Sequence, residues 1–230
     1  DETVRHFLDY QHKEDDLYNL NNMGATWYGD KYDAVTSMSY SFKFPNVVKN
    51  KKCNLKAEMA SRNTISSASF EFSLNGERLS FVNFTKVSST SAYAKEGSTS
   101  NVKFNASNDE FVIDVGYTKN ASSSSGWLDY ITINAWRELS MVGDVMSFRN
   151  PECNDDSKKY RYEIKNATNA MQVWNVTNPV EPEKINLQYA SDVASFIVNG
   201  AGNTEFIAFN NSGFKTVDFV AAVGNQNLHS

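Results

Sequence analysis

The scarcest reactive side chains in these 230 residues are three histidines, His6, His12 and His229, and two cysteines, Cys53 and Cys153. Nucleophilic catalysis needs a nucleophile, a base within hydrogen-bond reach and usually a third group that orients the base. His6 and His12 fall in a polar opening segment and His229 is the penultimate residue, so none lies in a stretch that would hold a base to a fraction of an ångström. Gly-Xaa-Ser-Xaa-Gly and the phosphate-cradling glycine patterns do not occur. The sequence therefore assigns no catalytic residue. It assigns no metal site either, because neither cysteine has a second Cys or a His at ligand spacing. Glu14-Asp15-Asp16, Asp109-Glu110 and Asp155-Asp156 lack the alternating carboxylates and central glycine of a calcium loop and read as solvated charge. No cofactor is expected.

Two further sets of residues leave alternatives open. Cys53 and Cys153 either pair in a disulfide, worth roughly 4–5 kcal/mol by loop entropy, or remain two separate thiols. Trp27, Tyr28, Trp127 and Trp174 either form a ligand or partner surface, for instance a sugar-stacking platform, or fill the core. A platform requires exposed rings, which spacing does not reveal.

These side chains must be positioned by strands. Ser and Asn number 26 and 27, and both favour turns over helices by bonding their own backbone. Ser69–Leu74 alternates polar and apolar, Asn75-Gly76 supplies a type I′ turn, and Glu77–Val82 returns, which predicts a β-hairpin. Similar runs at Val35–Phe44, Leu55–Ala60, Phe111–Tyr117, Trp127–Trp136, Tyr160–Ile164, Met171–Val176, Ser195–Val198, Glu205–Phe209 and Val217–Val223 predict further strands. In Trp127–Trp136, strict alternation puts Trp127, Asp129, Ile131, Ile133 and Ala135 on the core face. His6–Leu20 is either a short helix or an extended lead-in.

Many short strands, polar turns and no crossover helices give an all-β antiparallel sandwich of jelly-roll type with long polar loops. The expected organisation is a polar lead-in over 1–33, one sandwich domain over 34–224 and a connector over 225–230. A hydrophobic content of 40% excludes a disordered chain, and 22 basic against 27 acidic residues leave no basic stripe for nucleic acid. No apolar run approaches the roughly 20 residues of a membrane span. The polar start Asp1-Glu2-Thr3 is not a leader peptide, so the chain is expected to be processed or internal to a longer protein.

Several of these strands and turns also carry a resemblance. Asn22–Asp30 (NMGATWYGD), Trp127–Met141 (WLDYITINAWRELSM), Met146–Arg149, Val173–Pro179, Glu205–Phe209 and Asn225–His229 are similar, in consistent order, to the region preceding the gingipain-type cysteine peptidase domain of PorU-like sortases. Those enzymes belong to the type IX secretion system of Bacteroidetes-type bacteria. The resemblance implies a Cys–His dyad in a separate downstream domain, so neither Cys53 nor Cys153 inherits a catalytic role and His229 is not the base. It further implies a module that supports that domain and contacts secretion-system subunits or cargo, in the periplasm or at the outer-membrane surface. A carbohydrate-binding or adhesin-type module is the alternative.

Overall fold

A computed structural model describes residues 1–20, 26–88, 93–213, 216, 218–222 and 224. The strands are β1 (Glu2–Val4), β2 (His6–Glu14), β3 (Lys31–Tyr32), β4 (Ser37–Lys43), β5 (Lys52–Arg62) and β6 (Ala68–Leu74). There follow β7 (Glu77–Phe84), β8 (Lys95–Ser98), β9 (Val102–Asn105), β10 (Glu110–Lys119), β11 (Ser125–Glu138) and β12 (Val145–Phe148). The last are β13 (Lys159–Ile164), β14 (Gln172–Asn175), β15 (Glu183–Lys184), β16 (Gln188–Ala190), β17 (Val193–Asn199) and β18 (Phe206–Phe209). No α-helix occurs among the described residues, and every ladder between these strands is antiparallel except β1 with β13. The expected all-β sandwich architecture is present.

The strands make four sheets that stack as two sandwiches. In the first, β4-β10-β6-β7 faces β2-β11-β5-β8, with β3 and β9 added to the second sheet. Between them lies a core of Phe42, Phe70, Phe72, Phe111 and Ile113 against Leu55, Met59, Leu128, Ile131 and Ile133. In the second, β1-β13-β17-β16 faces β12-β18-β14-β15. Its core stacks Tyr162 on Phe196 at 5.1 Å with rings 6° apart, and sets Phe148 and Phe206 against them.

This differs from one sandwich over 34–224 with a lead-in before it. His6–Glu14 is neither helix nor lead-in but β2, paired along its length with β11 from Glu14↔Tyr130 to His6↔Glu138. Its first turn of chain already belongs to the second core through Phe7, while Ala135 on the partner strand belongs to the first. The continuous β2–β11 ladder carries the polypeptide across the junction. No Pro- or Gly-rich linker is needed there, so composition does not mark the change of core.

The hairpin forms as expected: Asn75 and Gly76 both take positive φ, 52° and 80°, between β6 and β7. Of the strand expected at Val217–Val223, only residues 218–222 are described. Residues 216 and 218–222 carry no ladder, Val217 and Val223 lie outside the described residues, and so does the 225–230 connector.

Candidate functional site

The alternation of β11 breaks at one residue. Leu128 pairs with Met59 and Tyr130 with Glu58, which leaves Asp129 as the extra residue of a β-bulge. Beyond the bulge, Ile131, Ile133 and Ala135 face the first core as expected. Before it the faces exchange: Leu128 turns into the core, and Trp127 turns to the outer side of the sheet. Strict alternation had put Trp127 and Asp129 on the face of the first core, and the bulge is the physical reason they do not lie there.

Trp127 is nevertheless covered. It packs with Tyr28 and Ala60 in a small third cluster, joined by Leu20 and Ala94, and is 4% exposed. The segment that covers it is tied to the sheet by Gly29 N–H to the Leu128 carbonyl at 2.8 Å and Leu128 N–H to the Asp30 carbonyl at 2.9 Å. Tyr28 pairs with Tyr18 in an isolated bridge, and burial, then Glu96 and Asp129, push its phenol up. Trp27 is 44% exposed. Trp174 lies on β14 in the other sandwich, half-buried, with its indole N–H donated to Gln172 at 3.2 Å. The four aromatics therefore do not form one platform: two are core, and the other two belong to different parts of the fold.

Adjacent to that cluster, the outer face of β2, β11 and β5 carries a set of interacting polar groups. Tyr130 donates its hydroxyl to Glu58 at 2.7 Å, and Lys56 pairs with the same carboxylate at 2.9 Å while lying 5.1 Å from the Tyr130 ring. The Tyr130 hydrogen bond, then Lys56, hold the Glu58 carboxyl below the usual range. Asp129 is pushed up to about 6 by partial burial, then by Glu14, Glu58 and Asp16. His12 joins Thr132, its register partner, at 2.8 Å through Nδ1 and Glu14 at 2.7 Å through Nε2.

That hydroxyl–imidazole–carboxylate string has the order of groups that activates a nucleophile. It lies on the open side of a sheet in which β11 is paired with β2 on one side and β5 on the other, so the N–H groups of β11 are engaged in ladders. Period two explains the string: His12 and Glu14 are two residues apart on one face, opposite Thr132 and Tyr130. The long-range pairing of β2 with β11 brings them together, and that pairing is not legible in sequence. His6 lies 3.2 Å from Glu138 at the other end of the same ladder, and His229 lies outside the described residues.

Cys53 and Cys153 are both free and buried, one in each core, so the disulfide alternative is not the one realised. Burial pushes the Cys53 thiol up to about 11 and raises that of Cys153, against a lowering hydrogen bond with Tyr162. Neither is a ready nucleophile at neutral pH. Among the described residues no three His, Cys, Asp or Glu side chains converge as a metal requires, and no helix is long and apolar enough to cross a membrane. A groove of about 180 Å³ runs between β2 and the second sandwich, bounded by Asp9, Tyr10, Ser147 and the Arg149–Glu205 ion pair.

No protein-family model matches the chain, and no curated protein matches it by sequence. Among solved structures, dimeric latent PorU from Porphyromonas gingivalis superposes over 99% of this chain with a TM-score of 0.83 at 18% identity. The chain spans 22% of that protein's length. The likeness is one of fold. A carbohydrate-binding module, CBM36 in complex with calcium and xylotriose, covers 54% of the chain with a TM-score of 0.34 at 20% identity. TmCBM61 in complex with β-1,4-galactotriose covers 57% with a TM-score of 0.32 at 11% identity.

Proposed function

We propose that this chain is the double β-sandwich region of a PorU-like protein, preceding and supporting a gingipain-type cysteine peptidase domain. The observation that carries the reading is the superposition on PorU along 99% of the chain at a TM-score of 0.83. The resemblance carried by the segments from Trp27-Tyr28-Gly29-Asp30 to Glu205–Phe209 points the same way. In this reading the module acts by rigidity. It carries no dyad of its own, and the Cys–His pair belongs to the domain that follows. Secretion-system subunits or secreted cargo are its partners, at an extracytoplasmic surface.

The test compares the chain alone with the same chain extended by the sequence that follows it. Cleavage of a peptide substrate is expected from the extended protein only, and it should survive Cys53→Ser with Cys153→Ser. Turnover by the 230-residue chain alone, persisting without both cysteines, overturns the reading. So does a following sequence that encodes no peptidase.

A further inference from the structure

β2 closes one end of its sheet, with β11 paired along one side and no strand along the other. The phase of its main chain is fixed at two places. Leu8 N–H bonds the Arg149 carbonyl at 3.0 Å, and the His6 carbonyl accepts from the Asn150 side chain at 3.0 Å. Both residues thus point their main-chain groups away from β11, and strand alternation points those of Tyr10, His12 and Glu14 the same way. Asp9 Oδ1 takes the Tyr10 N–H at 2.8 Å. The Tyr10 carbonyl, the N–H and carbonyl of His12 and the Glu14 N–H have no ladder partner among the described residues. The core behind them stays closed, because the Gln11 amide bonds the main chain of Lys43 at the edge of the facing sheet. A row of open main-chain groups of this kind is a template for an added strand.

One end of the row opens on the groove between β2 and the second sandwich, where Tyr10 is 60% exposed beside Leu8, Val176 and the Arg149–Glu205 pair. At about 180 Å³ the groove falls short of the roughly 300 Å³ at which drug-sized sites begin, so it fits one large side chain. The other end is acidic. Glu14 and Asp15 pair with His12 and Lys13, whereas Asp16 and, on the neighbouring β11, Asp129 form no ion pair among the described residues. We propose that this edge binds an extended peptide as an added strand, with one large apolar side chain in the groove and a Lys or Arg against Asp16 and Asp129. Charge complementarity selects this occupant, since the two carboxylates lack a cation of their own. At about 3.4 Å per residue, the run from Tyr10 to Asp16 sets the peptide's two side chains roughly four to six residues apart. Main-chain bonds supply affinity and the two side chains supply selection. A second copy fits less well, because antiparallel pairing of two β2 strands about His12 sets Asp16 beside Leu8 and brings no cation to it. The edge lies wholly within the described residues and needs no further domain, so it stands apart from the functional reading above.

Retention of peptides on the immobilised 230-residue chain tests this. The probe is a library of soluble peptides alternating Val and Thr, each with one Phe and with a Lys or a Glu at every spacing on either side of it. Lys peptides with the roughly four-to-six-residue spacing should bind at least tenfold more tightly than their Glu counterparts. Asp16→Asn with Asp129→Asn should remove that preference. N-methylation of the peptide amides that face β2 should abolish binding, and N-methylation of the alternate amides should leave it unchanged. Ser147→Trp, at an exposed position lining the groove, should weaken binding of the Phe peptides without lowering the melting temperature. No saturable binding of any peptide overturns the proposal, and so does equal binding of Lys and Glu peptides. Binding that tolerates N-methylation on both sides overturns it in favour of side-chain adhesion alone. If the chain dimerises in solution and no peptide dissociates the dimer, the edge belongs to a second copy and the proposal fails.

Discussion

Arg137 donates to Asp9 at 2.7 Å across the β11–β2 ladder, and this ion pair sits where the two sandwiches meet. Its guanidinium also donates to the Pro45 carbonyl at 2.7 Å and lies 5.1 Å from the ring of Phe7, its register partner. Arg137 is 8% exposed, so its charge depends on these partners in place of water. A second tie runs beside it: Lys51 lies 3.8 Å from the centre of the Trp136 ring and pairs with Glu152 at 2.5 Å. Trp136 belongs to the first sandwich's sheet and Glu152 to the loop before β13 of the second.

Removal of the guanidinium should therefore loosen the junction. Arg137→Ala leaves Asp9 and the Pro45 carbonyl without their donor and is expected to cost about 3 kcal/mol. In denaturant the native chain should unfold in one transition and the variant in two, as the sandwiches uncouple. A double-mutant cycle with Asp9→Asn should return a coupling on the order of 1–2 kcal/mol. A cycle that closes to zero would show that the pair is incidental.

Two glycines separate packing from propensity. A Cβ at Gly126 would lie 2.6 Å from Phe70 Cζ and 2.9 Å from Tyr117 Cδ2, inside the first core, where both rings are held by neighbours. Gly126→Ala should lower stability by about 1–3 kcal/mol through overpacking. At Gly116, on the strand β10, an added Cβ meets nothing within 4 Å. Gly116→Ala should be neutral or stabilise by about 0.5 kcal/mol. Thermal melts of the two variants should move in opposite directions or differ by several degrees.

Asp129 gives the pH dependence a definite sign. Its carboxyl is raised from 3.8 to about 6 in the folded chain, so between those values the folded state binds more protons than the unfolded one. Its contribution to stability therefore falls as pH rises from about 4 to 6, and the cost of the charged form is complete above 6. Asp129→Asn should raise the melting temperature at pH 7 and leave it nearly unchanged at pH 4. With the group partly open to solvent, the gain is on the order of 1 kcal/mol or less. Equal effects at both pH values would assign the change to the bulge geometry and not to charge.

Trp127→Ala tests the third cluster. Loss of an indole that packs against Tyr28 and Ala60 should cost about 3–5 kcal/mol and free the segment around Tyr28, seen as faster exchange at Gly29 and Leu128. Trp27→Ala, at an exposed position, should change the melting temperature little.

What was legible in sequence was local. The Asn75-Gly76 hairpin and the core-facing Ile131, Ile133 and Ala135 follow from turn chemistry and period two, which act over a few residues. The bulge at Asp129 was not legible, because one extra residue leaves no compositional mark and yet reverses the faces of Trp127 and Leu128. His12, Thr132 and Tyr130 were visible as residue types, but their meeting depends on pairing strands more than a hundred residues apart. The division into two cores was hidden for the same reason: β2, near the start of the chain, pairs with β11, which lies past its middle.

The placement of the two thiols has a practical consequence. Cys53 is enclosed by one sandwich and Cys153 by the other, and neither is bonded elsewhere. The chain thus holds one intrinsic labelling probe in each half. Timed alkylation followed by peptide mass analysis would read the opening rate of each half separately, without introducing a foreign group.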